Sequence, residues 1–176
     1  MLGLKCFSQT KLEREHRIKK SQFPSINMDS LPLENTKYIR YYREVDTSKI
    51  TYTLKFKKGK MQYHIDYNEK GALQNTGFMV KEVDIPTDTY ARIRSELNSN
   101  FQKTKIKYIQ QCYLGSSENV LKNTFQNLIL PSNTYKVMVR GNKTEKREDY
   151  IAIFDAEGNL EHMARALPPN YDHVLY

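Results

Sequence analysis

The sequence predicts an α+β fold: two tandem units, each a helix followed by an antiparallel meander, sharing one sheet with the helices on one face. Three observations predict it. The segment "YHIDYNEKGAL" (63–73) aligns without gaps to "YIAIFDAEGNL" (150–160), so Tyr63 matches Tyr150, Tyr67 matches Phe154, Gly71 matches Gly158 and Leu73 matches Leu160, each 87 positions apart. That interval suits one small α+β unit, and an internal repeat is the economical explanation. The segments before each turn alternate apolar and polar residues, as strands buried on one face do. One stretch, "PTDTYARIRSELNSNF", carries an apolar stripe at helical spacing.

The first unit spans 10–84 and the second 85–176. In the first, "KLEREHRIKKSQF" (11–23) stands where the repeat asks for a helix, with Leu12, Ile18 and Phe23 apolar and Pro24 ending it. A loop over 25–35 leads to a strand, "KYIRYYREV". In "KITYTLKFKK", Ile50, Tyr52, Leu54 and Phe56 take one face, and Thr51, Thr53, Lys55 and Lys57 the other. A turn at Gly59 returns the chain as Met61, Tyr63, Ile65 and Tyr67. The second unit opens at Pro86, where Thr87 or Asp88 can cap a helix carrying Tyr90, Ile93, Leu97 and Phe101. The strand "KIKYIQQCYL" follows. An insertion over 115–133 contains a second helix capped at Ser116 or Ser117, bearing Leu121, Phe125, Leu128 and Ile129 and stopped by Pro131. Tyr135, Val137 and Val139, then Tyr150, Ala152 and Phe154, complete the meander.

Composition excludes several classes. The chain of 176 residues has 13 Tyr, no Trp and 39% apolar residues, enough for a packed core. Its net charge of +8 attracts anionic or acidic partners. The Lys and Arg residues are scattered and not massed in a tail or one basic helix, which argues against nucleic acid. Cys6 and Cys112 form no metal-binding pattern, and no apolar run reaches the roughly 18 residues of a membrane span. The opening "MLGLKCFSQ" (1–9) reads as the last part of a secretory signal cut near Ser8 or Gln9, which predicts an extracytoplasmic (periplasmic or secreted) protein.

The pairs Phe23-Pro24, Ile85-Pro86 and Phe101-Gln102, with the turns Tyr67-Asn68 to Leu73 and Phe154-Asp155 to Leu160, follow one order. In this the chain resembles the PepSY-like, β-lactamase-inhibitor-protein-like domains of bacterial extracytoplasmic proteins, over about residues 10–170. The resemblance implies two tandem units with aligned sheets, export from the cytoplasm, and a protein-binding, inhibitor- or sensor-like role without catalysis. The insertion over 115–133 departs from that pattern.

The histidines are His16, His64, His162 and His173; His64 and Asp66 share a strand face, but two ligands without a third rarely hold a metal. Cys112 lacks a nearby base, Ser116 and Ser117 sit in no nucleophile elbow, and no phosphate-binding loop occurs, so neither a catalytic residue nor a cofactor is expected. Asp155 and Glu157 flank Gly158 in a hairpin whose counterpart has Asn68 and Lys70 about Gly71, so they read as turn chemistry, not a cation site. With helices on the Tyr/Ile/Leu face, the other face shows Lys55, Lys57, Gln62, His64 and Asp66 in one half, and Lys136, Met138, Arg140, Ile151 and Ile153 in the other. An apolar patch of Met138, Ile151 and Ile153 with a basic rim marks a protein contact. The insertion helix or the C-terminal "LPPNYDHVLY" could instead cover it. Two other functions stay open: a small-ligand carrier with a pocket between helix and sheet, and stacking of single-stranded nucleic acid on Tyr38, Tyr41, Tyr42, Tyr52, Tyr63 and Tyr67 beside Arg40 and Arg43.

Overall fold

Alternating residues draw the chain into one antiparallel sheet of nine strands, whose spatial order follows the sequence from β1 to β9. The structure, a computed structural model, describes residues 14–45, 49–143 and 145–166. The strands are β1 (Arg14–Ile18), β2 (Thr36–Val45), β3 (Ile50–Lys58), β4 (Met61–Tyr67), β5 (Leu73–Val80), β6 (Thr104–Leu114), β7 (Thr134–Gly141), β8 (Glu148–Phe154) and β9 (Leu160–Arg165). Helix α1 (Thr87–Asn100) lies between β5 and β6, and the six-residue α2 (Val120–Phe125) between β6 and β7.

This is a mainly-β fold, which corrects the expected α+β pair of helix-plus-meander units. The first-unit helix does not form. Arg14–Ile18 is instead an edge strand, pairing with β2 from Arg14↔Val45 to Ile18↔Tyr41, followed by a single 3₁₀ turn at Lys20–Gln22. The physical reason lies in the residues. Ile18 and Phe23 are too far apart for a helical stripe, and a short helix without a buried face is unstable alone. An edge strand needs only one row of backbone partners, and charged residues suit it.

The cover that this missing helix would have given comes from elsewhere. Phe23 sets its ring edge-on to Tyr41, Tyr52 and Tyr67, with centroids 5.1–5.9 Å away. Ile26, Met28, Leu31 and Leu33 of the same loop join the core. From the insertion, Phe125 stacks on Phe56 at 6.1 Å and reaches Tyr63 at 5.1 Å. α1 covers the second half, burying Ile93 and Leu97 completely against the cluster of Tyr135, Val137, Val139, Ala152 and Phe154. Truncating either helix residue to Ala costs about 2–5 kcal/mol. Neither helix has a capping side chain at its start: Pro86 occupies the N-cap position of α1, and Asn119, at φ 53°, that of α2, in place of the expected Thr87 or Asp88 and Ser116 or Ser117.

The paired turns are alike in detail. The side-chain Oδ1 of Asn68 accepts from the backbone N–H of Lys70 and Ala72, each at 2.9 Å, and that of Asp155 accepts from Glu157 at 2.9 Å and Asn159 at 2.8 Å. Gly71 and Gly158 have φ of +75° and +91°, a region that favours glycine. Each also lets the covering layer approach: a Cβ would stand 2.7 Å from the Ser25 carbonyl oxygen in one turn and 2.5 Å from that of Thr89 in the other. The elements around the hairpins differ, since β1 and a loop serve one half and α1 the other.

Candidate functional site

Every described covering element packs on the first sheet face. The second face carries the alternate residues, in the rows fixed by strand register. One row runs Arg40↔Lys55↔His64↔Gly77↔Cys112↔Thr134 across β2 to β7. The next runs Met79↔Gln110↔Lys136↔Ile153↔His162 across β5 to β9, and beside it lies Tyr108↔Met138↔Ile151↔Ala164. Lys55, His64, Lys136, Met138, Ile151 and Ile153 thus share this face.

The β2–β6 half holds a hollow of about 440 Å³, lined among others by Arg40, Lys55, Lys57, His64, Met79 and Gln110. His64 is only 6% exposed. Its ring lies over Gly77, where a Cβ would come within 2.8 Å of His64 Cε1 and 2.2 Å of the Gln111 carbonyl oxygen. Burial lowers the imidazole pKa; nearby Asp66 opposes this, and Lys136 and Lys55 reinforce it, so the ring is neutral at neutral pH. No hydrogen bond from another described residue reaches that ring. The Asp66 carboxylate accepts from Thr53 Oγ1 at 2.8 Å and Asn75 Nδ2 at 3.4 Å. Among the described residues no group of three His, Cys, Asp or Glu side chains is placed to hold a metal ion.

The basic groups divide into committed and uncommitted. Lys55 Nζ pairs with Glu15 at 2.7 Å and sits 4.5 Å from the Tyr42 ring centre. Arg140 gives two hydrogen bonds to Asp149, at 2.8 and 3.1 Å, and Lys107 Nζ reaches the same carboxylate at 2.6 Å. Burial pushes the Asp149 carboxyl up, but the hydrogen bonds and charges of Arg140 and Lys107 outweigh it and hold the group below the usual carboxylate range. Arg140, expected as a free rim cation, is therefore tied within the sheet. Arg40 and Lys57 are half-buried and have no ion-pair partner among the described residues.

Met138, Ile151 and Ile153 are half-buried and stand outside the core cluster. The insertion does not cover them, because α2 packs beneath β5 and β6 on the first face, against Phe56 and Tyr63. "LPPNYDHVLY", His173 and residues 1–9 lie outside the described residues. The space between α1 and the sheet, expected for a carrier pocket, is filled by Ile93, Leu97 and their fully buried neighbours. Of the tyrosines considered for stacking, Tyr42, Tyr63 and Tyr67 are buried and Tyr41 and Tyr52 half-buried; Tyr38 is exposed, at 64%. Burial pushes the Cys112 thiol up to about 11, which makes it a poor nucleophile. The Asp155 carboxyl is held below its usual range, its slight burial outweighed by the hydrogen bonds of Asn159 and of the turn N–H groups. That is turn chemistry, as read from the sequence.

Three features of the site were not visible in sequence: the bulge that turns Tyr38 to the rim, the Gly77 cradle, and the contribution of Met79 and Gln110. Glycine and methionine within a strand pattern carry no signal of this kind until the register is known.

No family model matches the chain, and no curated protein matches it. Among solved structures, a candidate periplasmic protein from Bacteroides eggerthii is similar at 9% identity and TM-score 0.48, covering 74% of this chain and 78% of its own. A BLIP-like protein from Bacteroides fragilis is similar at 12% identity and TM-score 0.47, covering 81% and 82%. Both scores lie below 0.5, so neither likeness assigns a family or an activity.

Proposed function

We propose that the chain is a non-enzymatic, extracytoplasmic binding module that docks a protein partner on the second face of its sheet. The observation that carries this reading is the make-up of that face. It combines a basic hollow with a half-buried apolar patch of Met138, Ile151 and Ile153, and no described element packs over it. Concave, mixed surfaces with a few anchoring apolar groups are what protein partners bury. Affinity capture from the native envelope and secreted fraction tests it, using wild type and an Ile151→Lys/Ile153→Lys variant whose melting is matched. Loss of the captured protein supports docking on this face, and undiminished capture removes it. Fractionation of the native cell tests the location, and recovery in the cytoplasm alone would count against it.

A second reading, binding of a small ligand, is favoured by one observation: the hollow's volume falls in the range of small-molecule sites. Its position on the second face, not under α1, shifts that reading from the helix–sheet interior to the sheet surface.

A further inference from the structure

We propose that the hollow beside His64 is a carboxylate-binding pocket that receives an Asp or Glu side chain of the docked protein. This rests on the docking reading above.

Like charges stand directly opposite one another here, Arg40 against Lys55 and Lys37 against Lys57. Such pairs destabilise a sheet unless an anion sits between or beside them. Glu15 answers Lys55, but no described carboxylate answers Arg40 or Lys57, and both are half removed from water. A cation in that position gains most from an anion arriving from outside.

His64 adds an independent sign. Its imidazole lines the hollow, is more than nine-tenths buried, and has no hydrogen-bond partner among the described residues. An imidazole on a cavity wall with no protein partner is free to donate to or accept from a ligand there. As a neutral ring it donates one N–H to a carboxylate oxygen. Gln62 and Gln110 offer amide donors on the same walls. At the mouth, Tyr38 holds a left-handed φ of 57° within β2, where the register slips between Lys37 and Arg40. A tyrosine rarely takes that conformation, and strand bulges of this sort re-aim side chains beside binding sites.

The charge balance selects among anions. Two uncommitted cations face the hollow, while Asp66 and Glu15 lie close enough to act on His64. A singly charged carboxylate fits that balance better than a phosphate dianion. Nucleic acid is disfavoured because Tyr42, Tyr63 and Tyr67 are buried and Tyr38 alone is exposed among the tyrosines that would stack bases. A protein-borne group is favoured over a free acid, because the hollow runs into the apolar patch through Gln110, Lys136 and Ile153.

The test is a nuclear magnetic resonance titration of the full chain with four probes: acetyl-hexaglutamate-amide, N-acetylglutamate, inorganic phosphate and a ten-residue oligothymidylate. Shifts of the His64 ring and Gly77 amide signals on adding hexaglutamate are expected. The apparent Kd should rise at least tenfold in Arg40→Gln/Lys57→Gln and hardly change in Lys103→Gln/Lys122→Gln, which removes the same charge elsewhere. An unchanged amide spectrum shows that the variants fold, and Arg40→Met/Lys57→Met serves where Gln does not. Absence of His64 and Gly77 shifts at millimolar peptide, or equal weakening by both variants, overturns the pocket. Tighter binding of phosphate or oligothymidylate overturns the carboxylate assignment. N-acetylglutamate binding as tightly as the peptide overturns the protein-borne source. Capture that survives Arg40→Gln/Lys57→Gln but fails in Ile151→Lys/Ile153→Lys sinks the pocket and leaves the docking reading standing.

Discussion

Gly77→Ala is the substitution through which the shape of the hollow can be tested most sharply. The added methyl would stand 2.2 Å from the Gln111 carbonyl oxygen, 2.8 Å from His64 Cε1 and 3.2 Å from Cys112 Cα, where ordinary contact begins at 3.4 Å. The His64 ring can turn aside, but the Gln111 carbonyl belongs to β6, paired with β5 through Phe78↔Gln111. Relieving that overlap moves the two backbones apart by roughly 1 Å, enough to take ladder hydrogen bonds beyond useful length. Two weakened bonds cost about 1 kcal/mol each and overpacking about 1–3 kcal/mol. Replacing a strand glycine returns about 0.5–1 kcal/mol. The net expectation is a loss of about 2–4 kcal/mol, measured by urea unfolding followed by circular dichroism. Adding His64→Ala should recover less than about half of it, since the backbone contact remains. A Gly77→Ala protein within about 0.5 kcal/mol of wild type would refute the packing described for β4, β5 and β6.

Three further outcomes are expected. Because burial holds the His64 pKa below the ordinary value near 6.5, the unfolded chain binds more protons just below that value, so stability falls as pH drops from about 7.5 towards 5.5. Thermal melts of His64→Gln should show a shallower slope in that window, and an unchanged slope would contradict the assignment. Tyr135 is fully buried and its hydroxyl has no hydrogen-bond partner among the described residues, so Tyr135→Phe should raise stability by about 1–2 kcal/mol; a loss in urea unfolding would reveal a partner. Asp149→Asn leaves Lys107 and Arg140, 32% and 47% exposed, without their anion, and after allowing for solvent screening should cost about 1–2 kcal/mol at pH 7. The Asp149 pKa is depressed, so this contribution is present above the ordinary carboxylate range and lost as pH falls through the folded-state value; melts at pH 7 and pH 3 should differ less in the variant.

What the sequence disclosed was local. The alternation in β3, β4, β7 and β8, the α1 stripe of Ile93 and Leu97, and the turn chemistry of Asn68 and Asp155 are each set by residues within a few positions. The same alternation assigned Lys55, His64, Met138 and Ile153 to the face opposite the helix. What it concealed was long-range. Arg14–Ile18 carries no apolar pattern, and only its pairing with Thr36–Val45 makes it a strand. The hollow exists because five strands bring Arg40, Lys57, His64, Met79 and Gln110 together, and because Gly77 leaves room for an imidazole two strands from Arg40. Arg140 looked free until Asp149, nine residues on, came opposite it in the register. Expecting a helix at 11–23 extended a genuine hairpin likeness to flanking residues that do not share it.

The most direct measurement compares capture of the native partner by three folded proteins: wild type, a second-face variant (Lys57→Glu/Ile153→Lys), and a variant of exposed apolar residues elsewhere (Val83→Lys/Ile129→Lys). Val83 and Ile129, at 81% and 54% exposure, are more accessible than the half-buried Ile153 and would contribute more if exposure alone chose the docking site. Docking on the second face requires capture to fall at least tenfold in the Lys57/Ile153 variant and to persist in the Val83/Ile129 variant. The reverse pattern would contradict it.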